Sequence, residues 1–519
     1  MTAPAKPGFP YKSEPFAPYQ REELKATALK PFHFCAWEQG CGKTWLAINT
    51  AAALFLHKKI DGMIVLAPNG VHSAWALDQI PEHMPDVVPW RAHIWRSGKE
   101  RTKLKRRLRA KEEDRDPEAW AVAELAANFA GLAVLCVNSE AVTLPLAKKA
   151  IGTFLTRRRC LLIVDESGDF TTPSAKRTRA LMHFGKRAPY RRCLDGTPVG
   201  TEPFELYAPY RFLSPSILGY QKYQDMKDAH AEWDTFERGD NGREFKVVAV
   251  DRVTGKKKWK DLDVLARKIA PHTSRITKAE ALPFLPPKLF KKRFFELTEE
   301  QQRLTRELKE ELQTTLHDGK TVTATNVLTQ YLRFQQIACG YVPPDIIYGE
   351  EEAQPVSIIP GPNPRLELAV EEALRHDGKP AIIWTRFHFD IDLLAPRLRD
   401  EGFTVGVYDG RTTPTQREEV KATFQQGELN FFLGNPAAGG RGLNLFRAGW
   451  GMFYANYFGL RRRLQAEDRA HRIGSSVTEN VLWYDLLGQR SIDLTIVRAL
   501  RNNQEVADCI TGDPSKEWI

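Results

Sequence analysis

Short apolar runs alternate along this chain with longer, helix-periodic polar segments, and few folds accommodate that alternation. PFHFCAW, GMIVLAP, GLAVLCV, CLLIVDE and RRCLDG succeed one another in the N-terminal part, and PAIIWTR, TVGVYDG, NFFLGNP, GMFYANY and VLWYDLL repeat the plan in the C-terminal part. Apolar strands that alternate with amphipathic helices make parallel sheets of the α/β class. No residue-level repeat relates the two regions, so their likeness is one of architecture. With 519 residues the chain exceeds one ordinary core.

Between the two regions the texture changes. Residues 214–340 are charged and read as mainly helical, as in TEEQQRLTRELKEELQTTL, with one hairpin expected at FKVVAVDRVTGKKKWK. Residues 341–364, rich in Pro, Gly and acids, read as a loop or linker. The expected organisation is a tail over 1–13, a first α/β lobe over 14–213, a helical insertion over 214–340, the linker, and a second α/β lobe over 365–519.

Charge narrows the partners. A formal net charge of +10 favours a polyanion. Seven cysteines, with no C-x-x-C pair and no Cys/His cluster at zinc spacing, point to reduced thiols and to neither a disulfide framework nor a thiolate metal site. The opening MTAPAKPGFPYKSEPFAPYQ lacks the layout of a signal peptide, and no stretch approaches the ~20 apolar residues of a membrane helix. The expectation is a protein of the cytoplasm, or of the nucleus in a eukaryotic host, with no membrane partner. The basic run from Arg96 to Arg109 leads into KEEDRDPE and reads as a solvated helix or a DNA-facing insertion rather than a targeting signal.

Three segments carry chemistry. FHFCAWEQGCGKTWLAINTAAAL is a strand, a glycine-bearing turn and a helix opening on Lys-Thr. Gly40 and Gly42 let backbone N–H groups approach phosphate oxygens, the helix N-terminus adds its dipole, Lys43 pairs with β- and γ-phosphates, and Thr44 can ligate Mg²⁺. CLLIVDE ends in Asp165, able to hold Mg²⁺ through water, and Glu166, able to orient or deprotonate an attacking water. QAEDRAHRIG places Arg469 and Arg472 on one helix face, able to point two guanidinium groups at a phosphate across a cleft. The plainer alternative for that segment is a surface helix with salt bridges to Glu467 and Asp468.

In this order the segments resemble the helicase-like ATPases of superfamily two and, within it, the Swi/Snf family of DNA translocases, over residues 16–487. PYQREEL resembles the adenine-reading Q motif and nominates Gln20. WEQGCGKT resembles the family's Asp-Glu-x-Gly-x-Gly-Lys-Thr, with Trp37 replacing Asp. MIVLAPNGVHSAW matches the segment with Pro68 and Trp75, and VNSEAV the Asn-Tyr-Glu segment, with Ser139 replacing Tyr. LDGTPVGTEPFELY looks like motif III, with Gly196, Thr197 and Pro198; its Gly-Thr-Pro separates it from DEAD-box RNA helicases. YDGRTTPTQREEVKATF carries Arg417 and Phe424 as anchors, NPAAGGRGLNLFRA resembles motif V, and QAEDRAHRIGS motif VI, with Ser475 where the family usually has Gln. The small annealing-helicase-like, phage and bacterial members look most similar. One departure matters: motif II reads Asp-Glu-Ser-Gly instead of Asp-Glu-x-His, so the coupling contact of that histidine is missing.

The resemblance implies two tandem RecA-like domains with parallel sheets, using ATP and Mg²⁺. It assigns catalysis to Lys43, Asp165, Glu166, Arg469 and Arg472, and the metal to Thr44 and Asp165. Nucleotide binding falls to Gln20, Gly40, Cys41, Gly42, Lys43, Thr44, Gly442 and Gln465, and coupling to Gly196 and Thr197. DNA phosphates would be held near Pro68, Asn69, Asn138, Ser139, Thr385, Asp409, Gly410, Gly439 and Gly440, by loop N–H groups and hydroxyls. The expected function is an ATP-dependent translocase on duplex or forked DNA, acting as a monomer without sequence preference. A strand-separating helicase and a DNA-binding scaffold with a decayed ATPase are the alternatives. No chromodomain, bromodomain or SANT-like segment is seen, so nucleosome remodelling is not expected.

Overall fold

The computed structural model of the chain describes residues 9–96, 116–238, 243–311, 313–315, 321–323, 327–345, 356–359, 361–437, 443–471 and 480–511. They belong to two compact units, Met1–Pro283 with Glu505–Pro514, and Phe284–Gln504 with Ser515–Ile519.

In the first unit, strands β1 (Phe32–Cys35), β2 (Gly62–Ala67), β3 (Trp90–Ile94), β4 (Leu132–Asn138), β5 (Cys160–Asp165) and β6 (Tyr190–Leu194) are separated by helical segments. A two-stranded ribbon, β7 (Trp233–Arg238) with β8 (Arg243–Val248), precedes the short β9 (Thr273–Ser274). The sheet order is β3-β4-β2-β5-β6-β1-β9, with every pairing parallel. Strands β2 and β5 are buried at every position and the edge strand β3 only partly, which is why the central strands read as continuous apolar runs. The expected hairpin forms around Asp251, with bridges Val250 to Lys257 and Ala231 to Trp259. The Asp251 carboxylate accepts from the backbone N–H groups of Val253 and Thr254 and fixes the turn.

In the second unit, β10 (Lys288–Phe295) comes first. Two small antiparallel pairs follow, β11 (Gln313–Thr315) with β12 (Thr321–Thr323) and β13 (Tyr341–Val342) with β14 (Val356–Ser357). Then come β15 (Ala381–Trp384), β16 (Val405–Tyr408), β17 (Phe431–Gly434), β18 (Trp450–Phe453) and β19 (Val481–Gly488), in the order β10-β19-β18-β15-β17-β16, all parallel. Ile383, Phe431, Leu433, Met452 and Leu486 fill one core, while Ile382, Phe432, Phe453 and Trp483 fill another. Neighbouring residues of one strand point to opposite faces, and both faces are covered.

The fold class is thus α/β with two parallel sheets, as the alternation required. Residues 214–340 are shared between the units, giving β9 to one sheet and β10 to the other. Strand β10 escaped the sequence reading because KLFKKRFF alternates in burial as an edge strand does. Within 341–364, Tyr341, Val342 and Ile358 are core residues of the second unit. Among the described residues no helix is long and apolar enough to cross a membrane.

Candidate nucleotide site and nucleic-acid faces

The first site is built on one row of the first sheet. Cys35 of β1 pairs with Leu194 of β6, and Leu194 with Asp165 of β5. At the usual strand spacing, the end of β1 and Asp165 lie about 10 Å apart at one end of the sheet. From β1 the chain turns through residues 36–42 into helix α2 (Lys43–Leu56). Gly40 and Gly42 have φ of 85° and 86°, in the left-handed region that favours glycine. Gly42 stands at the N-cap of α2 with no capping side chain, leaving the first-turn N–H groups for an outside acceptor.

Helix α1 (Pro18–Thr27) brings Gln20 to the same place. Gln20 is fully buried: its Oε1 accepts from the backbone N–H of Ala17 at 3.2 Å, and its Nε2 has no hydrogen-bond partner. A Cβ at Gly42 would collide with that amide and come within 3.0 Å of the Phe16 ring. An orphaned buried amide beside an uncapped helix start fits a bound nucleotide, since an unsatisfied buried donor is costly. Lys43 Nζ donates to the carbonyls of Trp37 at 2.8 Å and Glu38 at 3.1 Å, drawing the loop closed. Tyr19 donates to the Cys41 carbonyl at 2.7 Å and sets its ring edge-on to Trp37, so the aromatic that replaces Asp serves as packing. Cys41 is buried, and Thr44 is half-buried in the first turn of α2.

Asp165 is nearly buried. Its Oδ2 accepts from Trp75 Nε1 at 2.9 Å, and its Oδ1 from the Glu166 N–H at 3.1 Å. Glu166 takes a left-handed backbone, φ 55°, a strain of roughly 1 kcal/mol of the kind that collects at functional positions. Arg275, one residue past β9, was missed by the sequence reading. It donates to the Ala36 carbonyl at 2.5 Å and the Gly196 carbonyl at 3.2 Å, and pairs with Glu38 at 3.2 Å. It therefore joins the phosphate loop to the Gly196-Thr197 segment, and nothing in TSRIT announces it.

The nucleic-acid candidates gather at strand C-termini. Ala67 and Asn138 are register partners, so Pro68-Asn69 and Asn138-Ser139 are neighbours. Asn69 is exposed, but Ser139 is buried, and Asn138 Oδ1 accepts from the Glu140 N–H at 2.8 Å. In the second unit the Thr385 hydroxyl donates to the buried Asp390 carboxylate. Asp409 is buried; its carboxylate accepts from the N–H of Arg411 and from the Arg411 guanidinium, while Arg417 donates to its carbonyl at 2.7 Å. Phe424, the other expected anchor, is in the core. The side chains of Ser139, Thr385 and Asp409 are thus buried, whereas Asn69 and Gly410 are exposed. Gly439, Gly440, Gly442, Arg472, Ser475 and residues 97–109 of the basic run lie outside the described residues.

The segment with the candidate arginine fingers follows helix Leu460–Glu467, whose Leu460, Arg463, Ala466 and Glu467 are buried, so it is no surface helix. Glu467 pairs with Arg463 at 2.7 Å and Lys288 at 3.3 Å, and Asp468 with Lys288 at 2.7 Å. Arg463 also pairs with Asp485 and lies 3.5 Å from the Phe453 ring centroid, an anchor the sequence did not disclose. Gln465 is half-buried, and Arg469 is buried, with Nη1 donating to the Leu443 carbonyl at 3.3 Å.

A glycine-turn phosphate loop, an Asp-Glu strand end and a second parallel sheet define a helicase-like ATPase core of superfamily two. The SNF2-related domain matches residues 34–341 and the helicase conserved C-terminal domain residues 365–474; the chain belongs to the SNF2-related family. An uncharacterised ATP-dependent helicase of Mycoplasma genitalium is 25% identical over 346 residues, covering 66% of this chain and 30% of the relative. A putative ATP-dependent helicase/translocase of Bacillus subtilis is 24% identical over 368 residues, covering 69% and 36%. The chain spans about a third of the length of these curated relatives. Among solved structures, the SWI2/SNF2 ATPase core of Sulfolobus solfataricus in complex with dsDNA is 20% identical with a TM-score of 0.38, covering 97% of this chain and 95% of that one.

Proposed function

We propose that this chain hydrolyses ATP to move along double-stranded DNA without sequence preference, remodelling DNA or DNA–protein complexes. The observation that carries the reading is the site where the uncapped start of α2, the left-handed Gly42 and the orphaned Gln20 amide converge, at the end of the sheet that also holds Asp165. In this reading the N–H groups around Gly40 to Lys43 bind phosphates, Cys41 contributes its backbone, and Gln20 reads the base. Thr44 and Asp165 would hold Mg²⁺, which supplies neutralisation of phosphate charge. Glu166 orients the attacking water. Arg469 and Arg472 stabilise charge that develops on the transferred phosphoryl group, and Gln465 and Gly442 help to hold the nucleotide.

Phosphate gripping by loop backbones accounts for the absence of sequence preference, and the +10 charge supports a polyanionic track. The test compares nucleic acids as cofactors of turnover. Duplex or forked DNA should stimulate far more than RNA, and the protein should displace the third strand of a triplex without opening a plain tailed duplex. Equal stimulation by RNA, or efficient unwinding of a long blunt duplex, would replace this reading with that of a strand-separating helicase. Absence of any ATPase would leave the scaffold.

A further inference from the structure

We propose that Asp195 is the positioning residue that ties the hydrolytic loop after β5 to the Gly196-Thr197 segment after β6, in place of the histidine that motif II lacks. The proposal rests on the ATPase reading above.

Asp165 and Leu194 are register partners, so Asp195, the first residue past β6, stands beside the loop that begins at Glu166. Its side chain is buried, 1% exposed. Oδ2 accepts from the N–H of Gly168 at 2.6 Å and from Ser167 Oγ at 3.4 Å, while Oδ1 accepts from the N–H of Thr197 at 2.8 Å. The backbone N–H of Asp195 donates to the carbonyl of Cys35, at the end of the phosphate-loop strand, at 3.1 Å. One residue thus holds the end of β1, the loop carrying Glu166, and the segment Gly196-Thr197.

The chemistry suits a rigid link. Hydrogen bonds from N–H to carboxylate are roughly twice as strong as neutral ones. A buried carboxylate that lost one of its donors would keep its desolvation cost, so neither bond is given up readily. Gly168 occupies the position where the family's motif has histidine, and with no side chain there a link must use the backbone N–H. The Asp195 carboxylate bonds that very group. Any displacement of Thr197 is therefore passed to Gly168, two residues from Glu166, without a histidine ring.

The perturbation is Asp195→Asn, which preserves shape. Whichever way the amide lies, its NH₂ faces either the Gly168 N–H or the Thr197 N–H, so one of the two links becomes a repulsive donor–donor contact. ATP turnover is measured with and without duplex DNA, alongside binding of a fluorescent ATP analogue. The ratio of stimulated to unstimulated turnover should fall about tenfold, the scale of one lost bond to a charged group, with analogue affinity unchanged. A wild-type ratio in the variant overturns the proposal. So does an equal fall in both rates at constant ratio, which marks a structural residue only. No stimulation of the wild-type protein would instead refute the DNA-motor reading, and the proposal with it. A second measurement needs no variant: in the wild-type protein, amide exchange at Gly168 and Thr197 should change together when duplex DNA and a non-hydrolysable ATP analogue are added. Independent changes at the two amides overturn the link.

Discussion

Asp390 offers a quantitative test of the second unit. It lies on the helix His388–Asp400, fully buried beneath Thr385, whose hydroxyl it accepts. Burial pushes its carboxyl from 3.8 up to about 7, against the opposing pull of the Thr385 hydrogen bond and the Arg365 charge. Each pKa unit is worth 1.36 kcal/mol, so the proton is held in the folded state by on the order of 4 kcal/mol more than in the unfolded chain. The sign follows: this contribution to stability is fully present below the unfolded pKa and is lost as pH rises through the folded one. Other carboxylates titrate too, Asp409 among them, its pKa lowered by Arg411 against the opposing effect of burial. The informative quantity is therefore the difference between wild type and Asp390→Asn, which keeps shape and polarity but has no proton to lose. Urea unfolding at pH 5 and pH 8 should show the Asn variant gaining about 3 kcal/mol on wild type across that interval. A difference constant with pH would show that Asp390 is ionised throughout, and the argument from burial would be refuted.

Other substitutions test the remaining roles. Lys43→Ala should abolish ATP binding, whereas Glu166→Gln should bind ATP and stop turning over; near wild-type turnover in the latter would remove Glu166 from the mechanism. Arg472→Ala and Arg469→Ala should keep ATP and DNA affinity yet lose roughly 10³-fold in turnover, the scale of an arginine finger. For buried Arg469, thermal unfolding is followed in parallel; lost nucleotide affinity with an unchanged rate per bound ATP would contradict the role. Trp75→Phe keeps an aromatic side chain, smaller than the indole, but removes the donor to Asp165 Oδ2. It should raise the Mg²⁺ concentration for half-maximal turnover about tenfold, the effect of one hydrogen bond to a charged group, and an unchanged Mg²⁺ dependence would sever that link.

The strands that sequence patterning located are those buried on both faces, β2 and β5 above all, because such strands leave long apolar runs. What it missed has a common cause. Strand β3 is only partly buried, with Arg and His among its five residues, β9 is two residues long, and β10 interrupts its apolar residues with Lys and Arg, so none of them writes a run. Gln20 and the glycine-bearing turn were singled out from motifs, since the chemistry proposed for them needs fixed residue types at fixed spacing. Arg275 and Arg463 were not, because their partners, Gly196 and Glu38 for one, Asp485 and Phe453 for the other, come together only in the folded chain.

The burial of Ser139, Thr385 and Asp409 bears on how such a chain would hold DNA. A side chain that reads a base must reach out from the surface, whereas Thr385 bonds Asp390, Asp409 bonds Arg411, and Ser139 is buried. The N–H groups of Ser139, Thr385 and Asp409 are likewise given to Ala67, Gly434 and Thr412, so phosphate contact at these strand ends would fall to the backbone of the exposed Asn69 and Gly410, and a backbone N–H cannot distinguish bases. Rigid turns also fix the spacing between N–H groups, which suits a regular phosphate ladder better than mobile lysines would. Log affinity falls with log salt in proportion to the phosphates neutralised by Lys and Arg, so a neutral hydroxyl can add to affinity but not to that slope. Substituting Ser139→Ala or Thr385→Val should leave DNA affinity at fixed salt and the indifference to sequence unchanged, with Thr385→Val lowering stability by leaving Asp390 short of a donor. A loss of DNA affinity at fixed salt in either variant, under conditions where it stays folded, would return the hydroxyls to the DNA.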